Sequence, residues 1–149
     1  MKRLLTLVVV LFMYCGTSFV LAGEDRPINP EQLPQTIKVF LDQYFPGEKI
    51  ALAKMEKEFF GTEYKVYLVG GSKIEFGKDK EWKEVDCEFS EVPSALIPQK
   101  IKEFVNTNYP DQKVIQIEKK NKRKVKYEVE LSNSIEIEFD GHYNVVDID

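Results

Sequence analysis

One phrase is written twice in this chain, and it constrains the fold more than any other feature. Residues 33–46 read LPQTIKVFLDQYFP and residues 97–110 read IPQKIKEFVNTNYP. At a shift of 64 residues, Pro34, Gln35, Ile37, Lys38, Phe40, Pro46 and Lys49 fall on Pro98, Gln99, Ile101, Lys102, Phe104, Pro110 and Lys113. One residue is then dropped from a loop. At a shift of 63, Tyr64, Val66, Leu68, Ile74, Glu75, Phe76 and Asp86 fall on Tyr127, Val129, Leu131, Ile137, Glu138, Phe139 and Asp149. Identities with a single gap, placed at core-pattern and boundary positions, indicate an internal duplication.

Each unit opens with a helix. Ile37, Phe40, Leu41 and Tyr44 are spaced i, i+3, i+4, i+7 and make one apolar face, which Ile101, Phe104 and Val105 repeat. Pro34 and Pro98 suit the first helical turn, and Pro46 and Pro110 end the helix. The segments PEQLP and PSALIP each read as a short extra turn, with Ser94 a candidate cap for the second. Strands follow. Val125, Tyr127, Val129 and Leu131 alternate with Lys126, Glu128 and Glu130, the period of a strand with one wet face. The expected fold is α+β: a helix and a four-stranded antiparallel meander, in tandem. A unit of about 55 residues buries too little surface to be comfortable alone. The two sheets are therefore expected to join edge to edge as one composite eight-stranded sheet, with the helices on one face and EFSEVPSA as linker.

Lys2 and Arg3 precede an apolar run to Ala22 that ends in VLA, the pattern of a secretory leader cleaved before Gly23. The alternatives are an uncleaved membrane anchor and lipidation at Cys15, which the bulky Phe12, Met13 and Tyr14 disfavour. Without the leader, 19 basic residues face 25 acidic ones, a net charge of −6, which argues against a nucleic-acid partner. Cys87 is then the one cysteine, so the fold rests on packing rather than on an internal disulfide, and a buried, inert thiol is expected.

The stretches LPQTIKVFLDQYFPGEKI, YKVYLVGGSKIEFGKDKEWKEVDC, VPSALIPQKIKEFVNTNYPDQKV and YEVELSNSIEIEFDGHYNVVDID resemble the PepSY-like family, also called β-lactamase-inhibitor-like. These are small exported proteins of Gram-negative bacteria, and the resemblance covers the whole chain after the leader. It implies a leader over 1–22, one PepSY-like repeat over 23–89 and a second over 90–149. It also implies a periplasmic location and a broad open sheet face like that of a secreted β-lactamase inhibitor. No inhibitory contact residue matches a position here, so inhibition of a β-lactamase is not implied. Some members have been linked to calcium. Ser134 stands in SNSIE where the family more often has a glycine.

The side chains offer little chemistry. His142, the only histidine, sits in DGHY and reads as a solvated turn residue. Transition-metal sites and histidine-based triads therefore lack parts, and no enzyme, cofactor or metal is expected. Asp79, Asp86, Asp140, Asp147 and Asp149 cluster at strand ends, but none follows calcium-loop spacing, and Asp is an ordinary turn residue. KKNKRKVK, residues 119–126, carries six basic residues in eight on a hairpin tip. It is either simply solvated or a docking site for an anionic headgroup or an acidic partner. At the matching tip, Phe59 and Phe60 either fold back onto the sheet or present an apolar contact.

The wet face differs between the units. It reads Lys126, Glu128, Glu130, Glu136 and Glu138 in the second, but Lys65, Tyr67, Val69, Lys73 and Glu75 in the first. Aromatics on an open sheet favour recognition. Tyr67 and Trp82 are the expected partner-binding anchors, with Lys65, Lys73 and Glu75 as a polar rim. The alternative is that the two rings only pack on each other across strands. Trp82 and Val85 cannot both face the core of a regular strand. The leading expectation is a non-enzymatic periplasmic module that binds a protein or peptide through its open face. The second is a small-ligand or calcium-responsive periplasmic sensor. No membrane-spanning segment is expected after the leader, and the sequence sets no oligomeric state.

Overall fold

A computed structural model describes residues 25–149. The leader, its cleavage site and Cys15 lie outside the described residues. The chain runs β1 (Asp25–Ile28), α1 (Gln35–Tyr44), β2 (Ile50–Glu58), β3 (Gly61–Leu68), β4 (Lys73–Phe76) and β5 (Trp82–Asp86). It continues α2 (Gln99–Asn108), β6 (Val114–Lys119), β7 (Tyr127–Leu131), β8 (Glu136–Phe139) and β9 (Val145–Ile148). All strands form one antiparallel sheet in sequence order, β1 to β9.

The described residues thus form a sheet of nine strands rather than the expected eight. The extra strand, β1, pairs Asp25–Ile28 with Glu56–Ala53 of β2. It is short, carries Pro27 and shows no apolar alternation. Those properties blunt a sheet edge and also hide a strand from sequence reading. The join in the middle of the sheet is made by β5 and β6, with Val85 opposite Ile117 and Glu84 opposite Glu118. The linker is held: Cys87 N donates to Ile115 O at 2.8 Å, Val92 N donates to Val114 O at 2.9 Å, and Val92 is buried.

Both helices cover the same face. Ile37 and Leu41 from α1, with Ile101 and Val105 from α2, share one core with Val66, Ile74, Val85, Ile117, Val129 and Ile137. Phe40 and Phe104 are half-buried, each set edge-on to a fully buried strand ring: Phe40 on Phe76 at 5.3 Å and Phe104 on Phe139 at 5.7 Å. Pro34 and Pro98 sit one residue earlier than expected, as the N-caps of α1 and α2. The short turns are 3-10 helices, Pro30–Gln32 and Ser94–Leu96. Asn29 caps the first with its side chain, accepting from Glu31 N at 3.0 Å. Ser94 does not cap the second, because it is already the first residue of that turn and Pro93 occupies the cap.

Local irregularities recur at matching places. Register shifts fall at Ile50/Leu52 and Val114/Gln116, and again at Glu75/Phe76 and Glu138/Phe139. Lys80 and Tyr143 both take a positive φ, 68° and 66°. Gly71, φ 96°, opens the turn after β3, and Ser134, φ 63°, does the same after β7. Ser134 therefore holds the left-handed conformation that glycine adopts without steric cost.

Candidate functional site

The open face of the sheet, opposite the helices, is the surface on which the sequence places recognition. Cross-strand partners share a face, so the register assigns each side chain. Lys65 opposes Glu75, and Tyr67 opposes Lys73 on that face. Lys73 Nζ lies 2.9 Å from Glu84 and 3.4 Å from Glu75. Burial works against its charge, but hydrogen bonds and attraction from Glu84 and Glu75 prevail and push the Lys73 pKa up to about 12. Lys65 Nζ reaches Asp25 at 3.2 Å and Glu56 at 3.6 Å. Burial opposes the Lys65 charge too, and the Asp25 hydrogen bond outweighs it, so its pKa is raised. Four of the five expected site residues therefore lie together on the open face.

Trp82 does not join them. The β-bulge at Glu75/Phe76 pairs Trp82 with core-facing Phe76, and Trp82 packs against the core cluster. The bulge sends Lys83 and Glu84 to the same side, which lets Trp82 and Val85 both face the helices. Lys83 Nζ accordingly meets Glu63 on the open face at 2.8 Å. Above the Trp82 ring sits Lys119 Nζ, 4.0 Å from the centroid. The sequence supposed an unbroken alternation along β5, and one inserted residue reverses it.

A second bulge supplies a residue that sequence reading missed. At Ile50/Leu52 the register slips, and Leu52 comes directly opposite Tyr67. Leu52 is exposed, and Val69, two residues beyond Tyr67, is exposed as well. Lys54 Nζ stands 5.6 Å from the Tyr67 ring centroid. The result is an apolar island of Leu52, Tyr67 and Val69 within a rim of Lys54, Lys65 and Lys73. The run IALA has no period of two, so only the register reveals Leu52.

From β4 onward the same face is acidic. Glu75, Glu84, Glu118, Glu128, Glu138 and Asp147 stand opposite one another strand by strand. Lys120 pairs with Glu118 and with Glu128, the latter at 3.0 Å, and Lys122 pairs with Glu138 at 2.9 Å. Burial first, then Glu75 and Glu118, pushes the Glu84 carboxyl above the usual range although Lys73 pulls it down. Burial, then Glu136 and Asp86, raises Glu130.

Three of the strand-end aspartates serve their own turns. Asp79 accepts from Glu81 N at 3.0 Å, and Asp86 accepts from Glu88 N at 3.1 Å. Asp140 accepts from His142 N at 2.8 Å and Asn144 N at 2.9 Å, and contacts with the Asn144 side chain and backbone hold its carboxyl below the usual range. Among the described residues no group of three or more His, Cys, Asp or Glu side chains is arranged to hold a metal ion. His142 is exposed in the β8–β9 turn. Burial pushes the Cys87 thiol up. The depressions of about 650 and 380 Å³ lie at the sheet margins, the first beside Trp82, Lys119 and Asn121 and the second beside Arg26, Pro27 and Met55. No helix among the described residues is long and apolar enough to cross a membrane.

Residues 62–147 match the family model described as "Putative beta-lactamase-inhibitor-like, PepSY-like". Among the solved structures that share the fold are three from Bacteroides. One, from Bacteroides thetaiotaomicron, is described as a "putative calcium-regulated periplasmic protein"; it is 47% identical, with a TM-score of 0.75 over 84% of this chain and 96% of its own. The second, a "putative periplasmic protein" of the DUF2874 family from Bacteroides vulgatus, is 48% identical, with a TM-score of 0.76 over 85% and 97%. The third, a "putative periplasmic protein of unknown function" also from Bacteroides vulgatus, is 34% identical, with a TM-score of 0.75 over 85% and 99%. No curated protein is significantly similar to the chain.

Proposed function

The chain belongs to the PepSY-like family, and from that premise we propose that it is a non-enzymatic periplasmic module that recognises a protein or peptide through its open sheet face. The periplasmic location draws on the periplasmic descriptions of its structural relatives. One observation carries the recognition reading: exposed Leu52 and half-buried Tyr67 face each other on the open side of the sheet. Solubility asks for polar side chains there, whereas Tyr and Leu supply contact area that water does not reward. The binding centre is Leu52 and Tyr67, with Lys65, Lys73 and Glu75 as rim, and Trp82 lies outside it. The two halves are two copies of one unit, a reading supported by their matching bulges and positive-φ residues. The binding pair belongs to the first copy only.

Capture from periplasmic extract tests this. The wild-type protein and Trp82→Ala should retain the same partner, whereas Tyr67→Ala should lose it while its circular dichroism stays unchanged. Retention by a folded Tyr67→Ala variant at wild-type strength would sink the assignment.

The calcium-responsive reading is favoured by the description of the thetaiotaomicron relative. In this chain Asp79, Asp86 and Asp140 already accept backbone hydrogen bonds that calcium would have to displace. Titration calorimetry should show nothing tighter than about millimolar. A micromolar signal abolished by Asp140→Asn would move that reading to first place.

A further inference from the structure

We propose that the hairpin-tip end of the sheet docks on an anionic phospholipid bilayer. The antiparallel order puts four connections at one end: 59–60, 77–81, 120–126 and 140–144. They adjoin one another. Lys80 Nζ donates to Thr62 O at 2.8 Å, Lys119 lies over Trp82, and Lys126 N donates to Phe139 O at 2.8 Å.

Two observations at this end point the same way. Phe59 and Phe60 are 94% and 81% exposed, at the tip of the β2–β3 hairpin, with ring centroids 4.9 Å apart. They do not fold back onto the sheet, because β2 and β3 run out to Glu58 and Gly61 and leave the rings beyond the last ladder pair. Cations outnumber the carboxylates at this end, where Asp79, Glu81 and Asp140 also stand. Lys78 pairs with Glu58 and Lys83 with Glu63, but Lys80, Arg123, Lys124 and Lys126 have no carboxylate within ion-pair distance among the described residues. Residues 121–124 and Lys126 are exposed.

An otherwise acidic protein has thus gathered cations and two bare rings at one end. Exposed aromatics enter the boundary between headgroups and acyl chains, while lysine and arginine neutralise the phosphates above. The acidic face from β4 to β9 is repelled by the same surface, so charge also orients the molecule. Hairpins β2–β3 and β6–β7 are four strands apart, about 19 Å at the usual strand spacing, a span that suits a surface better than a small ligand. Docking by the tips leaves the open face and its Leu52–Tyr67 pair free, so this proposal stands apart from partner recognition.

The test is vesicle flotation of the exported protein, with intact mass showing that residues 1–22 are absent. Vesicles of phosphatidylcholine alone are compared with vesicles that also contain phosphatidylglycerol. The protein should float with the anionic vesicles only, and less so as salt rises. Arg123→Glu combined with Lys124→Glu should weaken binding roughly tenfold or more, and Phe59→Ser with Phe60→Ser should weaken it by a similar factor. Tyr67→Ala should float as wild type. Equal flotation with neutral vesicles, no flotation with either, or binding that survives both tip variants would overturn the proposal. Retention on an immobilised polyanion without vesicle binding would also overturn it, in favour of an acidic protein.

Discussion

Leu52 and Tyr67 face each other across β2 and β3; Gln116 and Glu130 hold the matching places across β6 and β7. On the other side of the sheet the halves scarcely differ. Val66 and Val129, Ile74 and Ile137, and Phe76 and Phe139 are all buried, and an edge-on helix ring covers each phenylalanine. The helix-covered face therefore sets the fold, and the open face is free to vary without disturbing it. What varies is informative, because the same backbone accepts a polar pair in one half and an apolar pair in the other. A second contrast concerns neighbours rather than residues. Val85 of β5 is 0% exposed beneath the β6 join, whereas Ile148, at the matching place on β9, is 45% exposed because β9 is the last strand of the sheet.

The largest effects should come from the shared core. Phe76→Ala and Phe139→Ala should each cost about 3–5 kcal/mol, the usual loss for a buried phenylalanine. Phe40→Ala and Phe104→Ala, half-buried, should cost about half as much. Denaturant unfolding checks all four. A loss that differs severalfold between matching positions would break the equivalence of the two halves.

Next in size is the turn after β7. Ser134→Gly should stabilise by about 1 kcal/mol, since it relieves a left-handed non-glycine residue. Gly71→Ser should destabilise by at least as much, because a Cβ there would also lie 2.9 Å from the Phe89 ring. Thermal unfolding of both variants reads the sign directly. A destabilised Ser134→Gly would mean that the serine side chain compensates for its backbone.

Charge on the open face gives the smallest effect. Glu130 stands opposite Glu136, and like charges in that position oppose folding by a few tenths of a kcal/mol to about 1. Glu130→Gln should stabilise by that amount at neutral pH. Glu130 and Glu84 have raised carboxyl pKa values in the fold, so their penalty is fully present above the folded value and vanishes below the unfolded one. Asp140 is lowered, and its contribution holds above the unfolded value and is lost as pH falls through the folded one. Mild acidification should therefore stabilise the acidic part of the open face before stronger acid releases the Asp140 turn. A Glu130→Gln variant with unaltered pH dependence would show that this carboxylate is solvated rather than crowded.

The helices, the order of the strands in each half and the two wet faces were legible in the sequence because periods of 3.6 and 2 report directly on burial. The misses have one cause, which is that periodicity assumes a regular ladder. The bulge at Lys83 turned a supposed surface anchor, Trp82, toward the helices, and the bulge at Ala51 brought Leu52 outward unnoticed. Strand β1 escaped because its four residues owe their pairing to β2 rather than to any pattern of their own. Phe59 and Phe60 read ambiguously, since apolar residues at a hairpin tip look alike whether they fold back or stand free. Lys65, Lys73 and Glu75 were placed correctly on the open face because no bulge intervenes along β3 or within Lys73–Glu75.

If the first half recognises a partner through residues that the second half replaces, exchanging those residues should weaken recognition: Leu52→Gln with Tyr67→Glu gives the first half the open-face pair that the second already carries. The backbone accommodates that pair at Gln116 and Glu130, so the variant should unfold at close to the wild-type temperature. Its affinity for the captured partner, measured by titration, should fall about 30-fold or more, the loss of a 2 kcal/mol anchor. A folded double variant that binds with wild-type affinity would place the recognition surface elsewhere on the molecule.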